Sequence, residues 1–254
     1  MKSLILVFIA FGALSFSFYF SESFLGHYNI PNIISAGIVI YLILFLIHKT
    51  GNSLLQVDRM QLFMLLSFVC WFSAEAMFGY YSGVLKTDPY PSIADIFYLA
   101  GYIFFILLLW RLNKSYKIEL SIFISLLVTF FLFAFYALYI SVFIFNVYSL
   151  SGNYVDIILV FVYPIFDLFI IIGCVLFYFR EREISLNREY LAWLLISACG
   201  LFFFLADVIF GFSDLFGFNQ NDHLFDLFFN IGYLILGIAI LTRIFYLNIH
   251  VRND

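Results

Sequence analysis

Apolar segments of about 20 residues recur along the whole chain, and they restrict the possible folds more than any other feature. A helix of about 20 residues crosses the hydrocarbon core of a bilayer, which is roughly 30 Å thick. Backbone groups in lipid must be satisfied within the segment, and the alternation typical of barrel strands is absent. The sequence therefore predicts an all-α, polytopic membrane helix bundle with eight transmembrane helices, near residues 3–20, 31–48, 61–81, 92–110, 119–145, 154–178, 189–212 and 223–247.

The composition agrees with this class of protein. Of the 254 residues, 65% are hydrophobic and 11% are charged, whereas a typical soluble domain carries roughly 25% charged residues. No loop is long enough for a soluble domain, so we expect one membrane domain over residues 1–254 with the lipid bilayer as its surroundings. The net charge of −4 and the lack of a basic run exclude a nucleic-acid partner. The three cysteines lie in apolar segments without metal-ligand spacing, and no cofactor is predicted.

Lysine and arginine are distributed unevenly between the two sides of the predicted bundle. Loops that face the cytoplasm carry an excess of these residues in membrane proteins. With the N-terminus inside, eleven of the 12 basic residues fall on the inner side and only Lys86 falls on the outer side. The sequence therefore predicts a multi-pass protein of the cell membrane with both termini in the cytoplasm.

Two motifs occur twice at nearly the same spacing. Ala-[Glu/Asp]-x-x-Phe-Gly occupies Ala74–Gly79 and again Ala206–Gly211, 132 residues later. Asp-x-x-x-x-x-Gly-Tyr occupies Asp95–Tyr102 and again Asp226–Tyr233, 131 residues later. Four predicted helices separate the copies, and an even number restores the same orientation. We therefore expect two parallel four-helix repeats, about 1–115 and about 116–254, with the motif glycines permitting close helix approach.

Six acidic residues fall in the outer half or at mid-depth of these apolar segments, and no basic residue lies among them. An ionised acid costs roughly 2.5–3.5 kcal/mol at the bilayer centre and less near the interface. Without basic partners, these acids must be protonated, hydrated in an outward-open cavity, or bound to a cation. The six are Glu75, Asp95, Asp156, Asp167, Asp207 and Asp226.

Helical spacing joins several of these acids to tyrosines. Asp95, Tyr98 and Tyr102 follow at i, i+3 and i+7 on one stripe, and Tyr163 precedes Asp167 by four residues. Pro164, between the last two, removes a backbone hydrogen bond and should free a carbonyl beside them. The predicted ligand-binding residues are therefore Glu75, Asp95, Tyr98, Tyr102, Tyr163, Asp167, Asp207, Asp226 and Tyr233.

The acids also have structural interpretations, which the sequence leaves open. Asp95, Asp156 and Asp226 lie where helices begin, so each could cap a helix N-terminus. The deeper Glu75, Asp167 and Asp207 could instead be protonated groups bonded to a tyrosine or a backbone carbonyl. His27 and His223 lie near the outer side as metal-ligand candidates, but a single interfacial histidine is more often solvated, and no metal is assigned.

A family resemblance covers most of the chain, from about Gln61 to Leu241. Pro-Ser-x-Ala-Asp-x-x-Tyr-Leu-x-Gly-Tyr at Pro91–Tyr102 is similar to the signature of a multi-helix membrane input region. This region precedes many bacterial and archaeal diguanylate cyclases, phosphodiesterases and sensor histidine kinases. Tyr-Pro-x-x-Asp at Tyr163–Asp167 and the closing Ala206-Asp207 with Asp226–Gly237 agree in order and spacing. The resemblance implies a membrane sensor without its effector domain, since no cyclase, kinase or PAS-like segment follows.

Four functions remain open at this point. The first is a sensor-like module with an outward-facing acidic and aromatic pocket, which signals to a separate cytoplasmic protein and is not an enzyme. The second is an intramembrane lipid hydrolase, because the Asp207 helix and the Asp226–Tyr233 helix also resemble lysoplasmalogenase-type membrane hydrolases. The third is an ion-coupled transporter, and the fourth is a structural subunit of a membrane complex. The family resemblance and the one-sided acids favour the first.

Overall fold

The described part of the chain is almost entirely helical. The computed structural model describes residues 2–20, 29–50, 58–115, 122–146, 154–184, 190–216 and 224–250. These residues form eight α-helices, and a π-helical segment, Tyr80–Leu85, continues the third. The helices are α1 (Lys2–Phe20), α2 (Ile30–Lys49), α3 (Arg59–Gly79), α4 (Ile93–Ser115), α5 (Ile122–Asn146), α6 (Tyr154–Ile184), α7 (Tyr190–Phe216) and α8 (Leu224–His250).

Six of these helices are long and apolar enough to cross a membrane: α2, α3 with its π-helical continuation, α4, α6, α7 and α8. In α1 and α5 the described apolar stretches are shorter, Lys2–Ser17 and Thr129–Ser141. The predicted all-α helix bundle is therefore confirmed, and six of its helices are candidate membrane spans by their length and composition. The number of eight spans stays a prediction.

Five helices extend at least three residues beyond their predicted ends. The third continues to Leu85, and α4 and α6 reach Ser115 and Ile184 instead of ending near residues 110 and 178. Basic residues follow residues 110 and 178 in the sequence, so the apolar run stops there although the helix does not. Lysine and arginine can stay helical at a membrane boundary because their long stems bring the charge to the interface.

Six helices form a closed ring in the order α2, α3, α4, α6, α7, α8 and back to α2. Outside the ring, α1 packs on α2 and α8, while α5 packs on α6. The starts of α2, α4, α6 and α8 lie with the ends of α3 and α7 at one end of the ring, which we call the acidic end. Lys49, Arg59, Arg111, Lys114 and Arg243 lie toward the opposite end.

The centre of the ring is aromatic. The Trp71 ring stacks on Phe105 with centroids 5.7 Å apart and meets Phe203 edge-on, also at 5.7 Å. A Cβ added to Gly101 would overlap the Trp71 ring, and one added to Gly232 would overlap the Phe203 ring. At these two positions the structure confirms that glycine permits the close helix approach expected from the sequence.

Adding a methyl group at these glycines should destabilise the fold. We expect Gly101→Ala and Gly232→Ala each to lower the free energy of unfolding by about 1–3 kcal/mol, because a buried ring must shift. The matched control is Gly37→Ala, since a Cβ there would lie an ordinary 3.5 Å from Phe72. Thermal unfolding of the detergent-purified variants measures the effect. Equal midpoints for all three variants would contradict this account of the packing.

Candidate functional site

A cavity opens between the ring helices at the acidic end, and residues from all six of them line it. The cavity has a volume of about 60 Å³, which is enough for a few waters or a small solute. Its polar lining comprises Asn29, Asn32, Glu75, Tyr90, Asp95, Tyr98, Tyr102, Tyr163, Asp207 and Asp226. Its apolar lining comprises Phe78, Phe210 and Phe229.

Glu75 lies near the end of α3 and is only 2% exposed. Its Oε1 accepts a hydrogen bond from the Tyr233 hydroxyl at 2.7 Å, and its Oε2 accepts one from Asn29 Nδ2. The Tyr98 side chain also interacts with this carboxyl group. Glu75 is therefore held from α2, α4 and α8 at once.

Asp207 and Asp167 form a second centre on α7 and α6. The Tyr102 hydroxyl lies 2.7 Å from Asp167 Oδ1 and 3.3 Å from Asp207 Oδ2, so it bridges the two acids. The carboxyl groups also interact directly with each other. Asp207 lines the cavity, while Asp167 is fully buried behind Tyr102.

Asp95 serves both as a helix cap and as part of the cavity wall. Its Oδ2 accepts the Ser92 amide at 2.7 Å, and Ser92 Oγ accepts the Ala94 amide at 3.1 Å, which together form a capping box at the start of α4. Its Oδ1 accepts the Tyr163 hydroxyl of α6 at 2.6 Å. The capping role left open by the sequence is thus confirmed for Asp95, without removing this residue from the cavity.

Pro164 lies inside α6, as the sequence predicts, and the carbonyl it frees has a new donor. A proline cannot donate to the carbonyl four residues earlier, which here belongs to Val160. The Tyr139 hydroxyl of α5 lies 3.3 Å from Val160 O, and the Tyr136 hydroxyl lies 2.8 Å from Phe161 O. These bonds attach α5 to the ring beside the cavity.

The structure brings most of the predicted site residues together. Seven of the nine line the cavity: Glu75, Asp95, Tyr98, Tyr102, Tyr163, Asp207 and Asp226. The other two, Asp167 and Tyr233, lie behind the wall and are hydrogen-bonded to wall residues. Their role in binding a ligand stays a prediction. The Asp156 side chain, His27 and His223 lie outside the described residues.

The sequence reasoning missed two asparagines and the aromatic part of the wall. Asn29 has a positive φ of 57°, which asparagine tolerates better than most residues. Its side chain reaches Glu75, and its Oδ1 accepts Asn32 Nδ2 at 2.9 Å. The motif Asn-Ile-Pro-Asn at Asn29–Asn32 could have indicated these two residues, because it places two amide side chains beside a proline at the outer end of an apolar segment.

The cavity is rich in acceptors and lacks positive charge. Among the described lining residues there are four carboxyl groups and no lysine, arginine or histidine. No group of three or more His, Cys, Asp and Glu side chains arranged to hold a metal ion occurs in the described part of the chain. The arrangement therefore suits a ligand that donates hydrogen bonds or carries positive charge.

No protein-family model, curated protein or solved structure matches the chain.

Removing a tyrosine hydroxyl from this network should cost stability. We expect Tyr102→Phe and Tyr233→Phe each to lower the free energy of unfolding by about 1–3 kcal/mol, because a buried carboxyl oxygen loses its donor. Tyr102→Phe should cost more, since its hydroxyl contacts two acids. The control is Tyr41→Phe on α2, whose side chain is 50% exposed. Thermal unfolding of the three purified variants measures these effects. Losses of stability no larger than that of Tyr41→Phe would show that the network does not stabilise the fold.

Proposed function

We propose that this protein is an integral membrane sensor-like module. It binds a small solute in the cavity from the outer side of the membrane and passes the binding event to a separate cytoplasmic partner. The observation that carries this proposal is the convergence of Glu75, Asp95, Asp207 and Asp226 on one cavity with no basic residue in its described lining. Carboxyl groups are expensive within a membrane, so their collection in a single cavity favours a functional role.

The proposed topology has eight transmembrane helices with both termini in the cytoplasm. The charge distribution of the described helices supports this orientation, because basic residues lie toward the end opposite the cavity. Lys86, which follows the π-helical segment at the acidic end, is the exception among the described lysines and arginines. Under the positive-inside rule, the acidic end then faces outward.

We also propose that the bundle consists of two parallel four-helix repeats. Matching helix contacts support this, since α2 packs on α8 as α6 packs on α4, and α1 packs on α2 as α5 packs on α6. Residues at the repeat spacing have matching environments, as Trp71 covers Gly101 and Phe203 covers Gly232. The cavity wall is paired in the same way: Glu75 with Asp207, Phe78 with Phe210, Asp95 with Asp226, and Tyr98 with Phe229.

Hydrogen bonds that cross between the proposed repeats offer a route for the signal. Tyr233 of the second repeat donates to Glu75 of the first, and Tyr102 of the first donates to Asp207 of the second. A ligand bound to these carboxyl groups would compete for the same oxygen lone pairs. Because packed helices shift as rigid units, weakening these bonds would move α4 and α8 relative to α7 and α3 as far as the cytoplasmic end.

The resemblance to membrane input regions of cyclases and histidine kinases supports a signalling role. In those proteins the membrane region precedes the effector in one chain. Here we propose that the effector is a separate protein, which contacts the basic end of the bundle.

A lipid hydrolase is the second candidate, and one observation favours it. Asp167 and Asp207 form a bridged pair of acids, and such a pair can supply a general acid and a general base. Only Asp207 of the pair reaches the cavity, which has room for a few waters rather than a lipid. Turnover of a lysolipid or vinyl-ether lipid by the purified protein, abolished in Asp207→Asn, would establish this function in place of the first.

The sensor proposal is tested by ligand-dependent stabilisation. The unfolding midpoint of the protein in nanodiscs is measured against single compounds from five classes: small amines, amino acids, sugars, carboxylates and inorganic cations. We expect at least one compound to raise the midpoint with increasing concentration, because a ligand that binds only the folded state stabilises it. The double variant E75Q/D207N should lose that shift.

The matched control is Asp58→Asn, which also converts a carboxylate to an amide. Asp58 is exposed at the start of α3, at the end opposite the cavity. This variant should keep the full shift. The proposal is wrong if no compound in the panel stabilises the protein, or if E75Q/D207N keeps the shift.

A further inference from the structure

We infer that the ligand of this cavity is a small organic cation, an alkylammonium with at least one N–H group. This inference rests on the proposed function and adds to it the chemical class of the ligand. It follows from the acceptors, donors and aromatic rings that the wall presents.

The wall is rich in carboxyl groups. Four of them, from α3, α4, α7 and α8, face the cavity, and the described lining contains no lysine, arginine or histidine. An anionic ligand would add like charge to any of these groups that is ionised, at a cost that rises in a low-dielectric environment. A cationic ligand would instead supply a positive partner for Glu75 and Asp207.

A chain of amide hydrogen bonds adds a further acceptor. Asn29 Nδ2 lies 3.4 Å from the Glu75 backbone carbonyl, which can only accept, so Asn29 turns its Nδ2 toward Glu75 and its Oδ1 toward Asn32. Asn32 then uses its Nδ2 for Asn29, which leaves its Oδ1 without a donor among the described residues. Asn32 is 2% exposed and lines the cavity. A buried, unsatisfied amide oxygen is costly, and an N–H group of the ligand would satisfy it.

The hydroxyl groups of Tyr102 and Tyr163 on the wall are already committed as donors. Tyr102 donates to Asp167 and also contacts Asp207, and Tyr163 donates to Asp95. The Tyr98 side chain interacts with Glu75. A ligand rich in acceptors, such as a carboxylate or a sugar, would therefore have to break protein hydrogen bonds to bind. A ligand rich in donors would not.

The aromatic part of the wall favours an organic cation over a metal ion. Phe78, Phe210 and Phe229 line the cavity, and the Tyr90 ring packs edge-on against Phe210 with centroids 4.8 Å apart. Ring faces attract an ammonium group and also cover its alkyl carbons. A bare metal ion needs several oxygen ligands at short distance, and the described residues contain no group of three or more His, Cys, Asp and Glu side chains that could hold one. The limited space restricts the alkyl part to a few carbons.

The test uses n-propylammonium chloride as the probe, with 1-propanol as its neutral analogue and potassium and calcium chloride as inorganic cations. Binding to the protein in nanodiscs is measured by titration calorimetry and by the unfolding midpoint, at constant ionic strength. We expect propylammonium to bind and 1-propanol not to bind. Because each removes a carboxylate partner of the ammonium group, Glu75→Gln and Asp226→Asn should each raise the dissociation constant at least about tenfold.

If Glu75→Gln fails to fold, two other variants still test the inference. Asp226→Asn changes a half-buried residue in the first turn of α8, and Phe210→Leu removes one ring while keeping an apolar side chain. Both should weaken propylammonium binding, whereas Asp58→Asn should not change it.

The outcomes separate this inference from the function on which it rests. Equal binding of 1-propanol, binding of potassium or calcium in place of propylammonium, or unchanged affinity in Asp226→Asn and Phe210→Leu would overturn the alkylammonium assignment. If a sugar or carboxylate then binds in a Glu75-dependent way, the sensor proposal survives while this inference falls. If no compound binds, both fall.

Discussion

The cost of holding carboxyl groups inside an apolar bundle is the constraint on which the rest of the structure depends. Glu75, Asp167 and Asp207 have no basic partner among the described residues, so their oxygens must find donors of other kinds. Tyrosines and Asn29 supply these donors from neighbouring helices. Each acid therefore binds helices together, and the polar network fixes how the ring closes at its acidic end.

Under the proposed function, the same network would link ligand binding to helix position. Its tyrosines cross between the two halves of the ring, from α8 to α3 and from α4 to α7. Below it, Trp71 and Phe203 meet edge-on over a rigid aromatic core. Because the hydrogen-bonded network lies above a packed aromatic core, its hydrogen bonds can rearrange while the core keeps the fold. This combination suits a device that responds to a solute and transmits a small helix movement.

Much of this arrangement could be predicted from the sequence because hydropathy and repeat spacing are local signals. Helix number, most helix ends and seven of the thirteen residues that line the cavity followed from them. Asn29 and Asn32 were missed because their role depends on a chain of side-chain bonds to Glu75. Phe78, Phe210 and Phe229 could not be distinguished from lipid-facing rings, since most of the helices are rich in phenylalanine. Helix packing alone distinguishes such residues.

The central claim is that the acidic cavity is open to small cations from the outer side. It is tested most directly by placing Phe78→Cys or Phe210→Cys in a background with Cys70, Cys174 and Cys199 replaced by serine. A membrane-impermeant, trimethylammonium-bearing thiosulfonate is then added to right-side-out vesicles. We predict that both cysteines react from outside and that propylammonium slows the reaction, while Asp58→Cys reacts only after the inner side is exposed. No reaction at either position from outside, or reaction only from inside, would contradict the account.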